Sequence, residues 1–132
     1  MMQNVLFSSM FIMHNILSKE ETDMTEAFQE LMYSAGVFRH YYGYAYLEQG
    51  VILAMEDPKR LQHICKEIYS QIARMNQTNI ANVEKNIRTV RDVFVRNGGM
   101  ELLMKRERYR FWEDKKPYPK EFIELLVDYF QG

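Results

Sequence analysis

The sequence predicts an all-α fold, a compact six-helix bundle built around a helix-turn-helix and of the winged-helix-like class. Three observations lead there. Apolar residues recur with periods near 3.6, and Val and Ile do not alternate over any useful length. A chain of 132 residues with 47% hydrophobic content, including nine Tyr and eight Phe, supplies one sizeable core and is too short for two full domains. The segment boundaries also carry helix caps and stops.

Taken in order, Asp23 and Glu26 have capping-box spacing ahead of a first helix that ends at Gly36. A tyrosine-rich second helix is expected from about His40 to Met55. Asp57-Pro58 has the order of an N-cap followed by proline at the first helical position. It opens a third helix with Leu61, Ile64, Cys65 and Ile68 as its apolar face. The fourth and fifth helices follow between Tyr69 and Asn97, and Asn97-Gly98-Gly99 is the stop signal. Met100 to Met104 is expected to form a short helical turn. An irregular loop from Lys105 to Lys116 then interleaves Arg106, Arg108, Arg110 and Trp112. Pro119 with Glu121 starts the last helix, whose apolar residues are Phe122, Ile123, Leu126, Val127 and Phe130.

The segment from Tyr69 to Arg91 has the pattern of a short helix, a tight polar turn and a longer second helix. Ala73 is the small residue needed where the two helices touch, and Val83 is the apolar plug ten positions later. That spacing suits two helices crossing steeply around a short turn, the unit that places a recognition helix in the major groove. At about 100° per residue, Ile80, Val83, Ile87, Val90 and Phe94 form one buried stripe. Ala81, Asn82, Lys85, Arg88, Thr89, Asp92 and Arg96 fall opposite. Amide, hydroxyl and guanidinium groups match base edges and phosphate oxygens. An ordinary amphipathic helix with a solvated face has the same pattern, so this helix alone does not decide.

Charge distribution adds to the reading. The chain as a whole is nearly neutral, with 17 basic and 18 acidic residues. Residues 1–57 carry 2 basic and 8 acidic groups, residues 58–116 carry 14 and 7, and residues 117–132 carry 1 and 3. The positive block therefore coincides with the helix-turn-helix and the segment after it, as a phosphate-facing surface requires.

Other chemistry is thin. His14, His40 and His63 lack metal-ligand spacing to one another or to Cys65, so no metal or cofactor is expected. Cys65 is expected to be a small core residue, and a single Cys fits a reducing cytoplasm. Tyr41, Tyr42, Tyr44 and Tyr46 are expected to pack rather than to form a stacking platform. Gly98 and Gly99 lack the pattern of a phosphate cradle. No enzyme is expected.

The first residues are different. Val5 to Leu17 is apolar but shorter than the roughly twenty residues a membrane span needs, and no Lys or Arg precedes it. No membrane association and no secretory signal are expected, which gives a division into an apolar extension, residues 1–23, and a DNA-binding domain, residues 24–132. The extension has three readings: a docking helix, a self-association segment, or translated sequence upstream of a start at Met24.

From about Ala27 to Phe130 the chain resembles the C-terminal effector domain of the sporulation initiation response regulator, the stage-zero sporulation protein A family of spore-forming Firmicutes. The matching residues include Gly36-Val37, His40, Gly43-Tyr44, Tyr46-Leu47, Asp57, Ile64, Lys66 and Tyr69. They continue through Ile72-Ala73, Thr78, Val83-Glu84, Ile87-Arg88, Arg96, Lys116-Pro117, Glu121-Phe122 and Asp128.

The resemblance implies a six-helix domain that binds promoter DNA and works with RNA polymerase, with Ile80 through Asn97 as the reading helix. The family's contacting positions fall on Asn82, Glu84, Lys85, Arg88 and Thr89. Glu84 and Arg88 keep the family residue, whereas Lys85 and Asn82 each replace an Arg and Thr89 replaces a His. Lys85 keeps the charge but loses the planar fork suited to guanine. Asn76 stands where the family has an apolar turn residue, and Tyr118-Pro119 replaces Thr-Asn.

The leading expectation is thus a sequence-specific regulator of double-stranded DNA. Arg88 and Lys85 would read bases or grip phosphates, Thr78 and Asn79 would anchor the turn, and Arg74 and the Arg106–Arg110 loop would add nonspecific attraction. Useful affinity is expected from a homodimer on tandem sites. The competing expectation is a degenerate helical module that binds RNA polymerase or another regulator without reading bases. The residues ahead of the first helix cannot hold the receiver domain of the full-length regulator. Control by phosphorylation in the family's manner is therefore not expected.

Overall fold

Helix α1 spans Lys19–Ser34 and so begins ahead of the Asp23 expected to precede it. Lys, Glu and Thr tolerate helical backbone well enough to carry the helix through the capping-box signal. Its end is the expected one. The Val37 N–H donates to the Met32 carbonyl at 2.8 Å and the Gly36 N–H to the Tyr33 carbonyl at 3.0 Å. Gly36 has φ +70°. This pair of bonds is a Schellman cap, which calls for a left-handed residue. The computed structural model describes residues 19–103 and 116–132. The expectations for Val5–Leu17, His14 and the Arg106–Arg110 loop lie outside the described residues.

Helix α2 (Tyr42–Glu56) buries Tyr44, Tyr46, Leu47, Val51 and Ala54. Two of the four clustered tyrosines thus pack into the core, Tyr41 is half-buried, and Tyr42 is exposed. Asp57 then caps the next element as expected, its carboxylate accepting the Lys59 N–H at 3.1 Å. The third and fourth expected helices are one unbroken helical run, here α3, whose pitch changes twice. It is 3-10 over Pro58–His63, π over Cys65–Tyr69 and α over Ser70–Met75. The wide π turn re-phases the helix surface. Ile68 is buried, but Cys65, expected in the core beside it, is exposed.

Helix α4 (Ile80–Arg96) carries the expected apolar stripe: Val83, Ile87, Val90 and Phe94 are fully buried. Ile80 departs from it at 38% exposure, because the first turn of α4 stands at the edge of the core. Gly98, at φ +84°, stops α4 and leads into the short α5 (Gly99–Leu103). Helix α6 (Pro119–Gln131) opens with the Glu121 carboxylate accepting the Tyr118 N–H at 2.9 Å. It buries Phe122, Ile123, Leu125, Leu126 and Val127, while Phe130 is only half-buried.

These six helical runs close around one core, and no strand occurs among the described residues. α2 is its axis and packs chiefly on α4 and α6. Phe28, Met32, Leu47, Ile72, Ile87, Phe94 and Phe122 are fully buried there. Each such side chain stabilises the fold by roughly 1.5–3 kcal/mol relative to leaving it in water. This packing fixes α4 with one side against the bundle and the other in solvent.

Candidate nucleic-acid interface

The end of α3 and the whole of α4 form the expected helix-turn-helix. Ala73 is buried where the helices meet, and Val83 is fully buried as the plug. The turn is a second Schellman cap. The Thr78 N–H donates to the Ala73 carbonyl at 2.9 Å and the Gln77 N–H to the Arg74 carbonyl at 3.4 Å. Here the left-handed residue is not glycine but Gln77, at φ +54°. An L side chain in that conformation costs roughly 1–2 kcal/mol. The turn is held from outside by Asn76, whose Nδ2 donates to Gln49 Oε1 in α2 and to the Ile72 carbonyl, both at 2.7 Å. The polar residue at this turn position is therefore a tether.

The first turn of α4 is closed by its own amides. Asn79 Oδ1 accepts the Asn82 N–H at 2.8 Å, the N-cap bond that satisfies one orphan donor. Asn82 Nδ2 donates to Thr78 Oγ1 at 2.8 Å, and Asn86 Nδ2 donates to the Asn82 carbonyl at 2.8 Å. On this flank α2 crosses α4 backbone to backbone at Gly43. A Cβ there would collide with the Asn86 carbonyl and lie 2.5 Å from Val90 Cγ2. Further along, Asn97 Nδ2 donates to the Ala35 carbonyl at 2.9 Å and ties the end of α4 to the end of α1.

The outer face of α4 presents Lys85, Arg88 and Thr89 to solvent. Thr89 Oγ1 donates to the Lys85 carbonyl at 3.1 Å. Arg88 is 3.5 Å from Glu84 one turn back, and its side chain keeps 49% exposure. Beneath this pair lies the Tyr69 phenol. Burial pushes it well above its ordinary range, the Glu84 and Cys65 charges add to the rise, and Arg88 opposes it. Arg74 is exposed in the last turn of α3, across the turn from the α4 set. Lys85, Arg88 and Thr89 thus share one open face, and Thr78, Asn79 and Asn82 are knitted together at its leading end.

The opposite flank is ionic. Arg91 is 6% exposed and donates through Nη1 to the Pro117 carbonyl at 3.1 Å. Its Nε and Nη2 bond Asp92 Oδ1 at 3.0 and 2.8 Å, and Lys116 Nζ reaches the same oxygen at 3.2 Å. Partial burial raises the Asp92 carboxyl, but hydrogen bonds and charge from Arg91 and Lys116 outweigh it and leave it below the usual carboxylate range. Sequence reasoning placed Asp92 on the open face and did not single out Arg91. The available signal was angular, since Arg91 lies about 40° from Ile87 at 100° per residue, on the buried side.

Over residues 28–130 the sequence matches the family described as sporulation initiation factor Spo0A C terminal. The chain belongs to this family. It is a DNA-binding, transcription-regulating effector domain associated with sporulation, and the family is regulatory rather than enzymatic. Among the described residues no group of three or more His, Cys, Asp or Glu side chains is placed to hold a metal ion. Among them, too, no helix is long and apolar enough to cross a membrane.

Proposed function

We propose that α4 is the sequence-reading helix and enters the major groove of double-stranded DNA. The observation that carries this is the solvent-facing row Lys85, Arg88 and Thr89, backed by the buried Val83, Ile87 and Val90 and preceded by a capped turn. Arg88, steadied by Glu84, reads a guanine edge or grips a phosphate, and Lys85 supplies charge without bidentate geometry. Glu84 is also placed to accept from a cytosine amine. Thr89 offers a hydroxyl within the row and Asn82 an amide at its leading end, while Thr78, Asn79 and Arg74 engage the strand at the turn. The protein acts in the cytoplasm, as paired copies on tandem half-sites, with RNA polymerase as its partner at promoters.

Selection of bound duplexes from a random pool tests the reading. Enrichment of one sequence supports it. On the enriched duplex, Arg88→Ala is expected to cost about 1–3 kcal/mol and to relax preference at one position. A pool that yields no enriched sequence, together with a shallow salt dependence on random duplex, would favour the module that binds polymerase without reading bases.

A further inference from the structure

A cleft of about 470 Å3 opens along the α6 side of α4. Its floor is apolar, built by Ile64, Tyr69 and Pro119, and cations line it, Arg88 from α4 and Lys116 and Lys120 from the segment that enters α6. Arg88 therefore belongs both to the outer face of α4 and to this cleft. We infer that the cleft is a phosphodiester subsite: when α4 lies in a groove, the strand bordering that groove runs along the cleft and is gripped by Lys116 and Lys120. The inference rests on α4 as the groove-reading helix and extends the interface to residues outside the helix-turn-helix.

The chemistry favours a phosphodiester strand. An apolar floor suits the deoxyribose faces, and cations at the lips suit phosphate oxygens, the arrangement that positions a protein on a duplex without reading sequence. Lys116 is aimed in advance. Its ammonium is held 3.2 Å from Asp92, and Asp92 is itself fixed by the buried Arg91. A lysine side chain otherwise samples many rotamers, part of which freedom this contact removes before DNA arrives. Glu84 also lines the cleft, but its charge faces Arg88 at 3.5 Å. Tyr118, 73% exposed, also lines the cleft and offers a hydroxyl donor.

The test is the salt dependence of binding by the intact chain to its selected duplex and to a scrambled one. Lys120→Gln is the main probe, because Lys120 is exposed on α6 and its loss leaves the core untouched. Each of Lys120→Gln and Lys116→Gln is expected to flatten the slope of log K against log salt by about one. The loss should be equal on both duplexes, and Lys120→Arg should restore the slope. A neutral methylphosphonate at one bordering phosphate should weaken the wild type and have no further effect on Lys120→Gln. Variants that keep the wild-type slope while Arg88→Ala loses discrimination overturn the subsite and leave the reading helix standing. A wild type that binds no duplex at all overturns both.

Discussion

On the side of α4 that faces α2, contact is neutral and close. Gly43 lets two backbones meet, and Thr78, Asn82 and Asn86 form a ladder of amides and a hydroxyl. On the side that faces α6, contact is ionic and more open: Arg91 reaches Pro117, and Asp92 gathers Arg91 and Lys116. The same helix is thus held by steric fit on one flank and by charge on the other. Steric fit ignores salt and pH, whereas the solvent-exposed Lys116–Asp92 pair weakens as salt rises. A polyanion arriving at the outer face therefore competes only with the second flank, and the first keeps α4 in place meanwhile.

The neutral flank is most vulnerable at Gly43. Gly43→Val would drive a branched side chain into the Asn86 carbonyl, and a loss of about 3 kcal/mol or more is expected. A denaturation midpoint that stays at the wild-type value would show that the two backbones are not in contact. On the ionic flank, Arg91→Met should cost about 2 kcal/mol, because it leaves a buried Pro117 carbonyl without its donor. If that variant melts with the wild type, Arg91 is not the link between α4 and α6. Asn79→Ala removes the N-cap and should cost about 1 kcal/mol, equally in low and high salt. A penalty that shrank in high salt would place an ionic contribution on the neutral flank.

The smallest effect is the acid limb. The Asp92 carboxyl is depressed in the folded protein, so its contribution is complete above the unfolded value of about 3.9 and is lost as pH falls through the folded value. Asp92→Asn should therefore flatten the stability curve below about pH 4 and leave its shape near neutrality unchanged. Equal acid limbs in the two proteins would remove Asp92 from the account.

Much of this architecture was legible where local chemistry decides the outcome. Gly36, Asp57-Pro58, Asn97-Gly98 and Pro119 with Glu121 mark ends that the backbone has to satisfy, and each falls within a residue or two of where the sequence puts it. The buried stripe of α4 was also readable, from Val83 to Phe94. What failed depended on something non-local. Cys65 left the core because the π turn rotated its face, a change that no 3.6-residue period foretells. Ile80 is exposed because, among the described residues, no neighbouring helix covers the leading edge of α4. Arg91 passed as one more surface cation, since only the three-dimensional placement of Pro117 gives its guanidinium a buried partner.

The widened turn at Cys65–Tyr69 has a consequence for engineering this domain. It under-winds the rod just after the 3-10 turn of Pro58–His63 over-winds it, so the surface of α3 changes phase along its length. The front of the rod can therefore lean on one neighbour while its tail aims the hinge of Asn76 to Asn79 at another. A graft that swapped in a uniformly wound rod of equal length would keep every cap and still deliver the following helix pointing the wrong way.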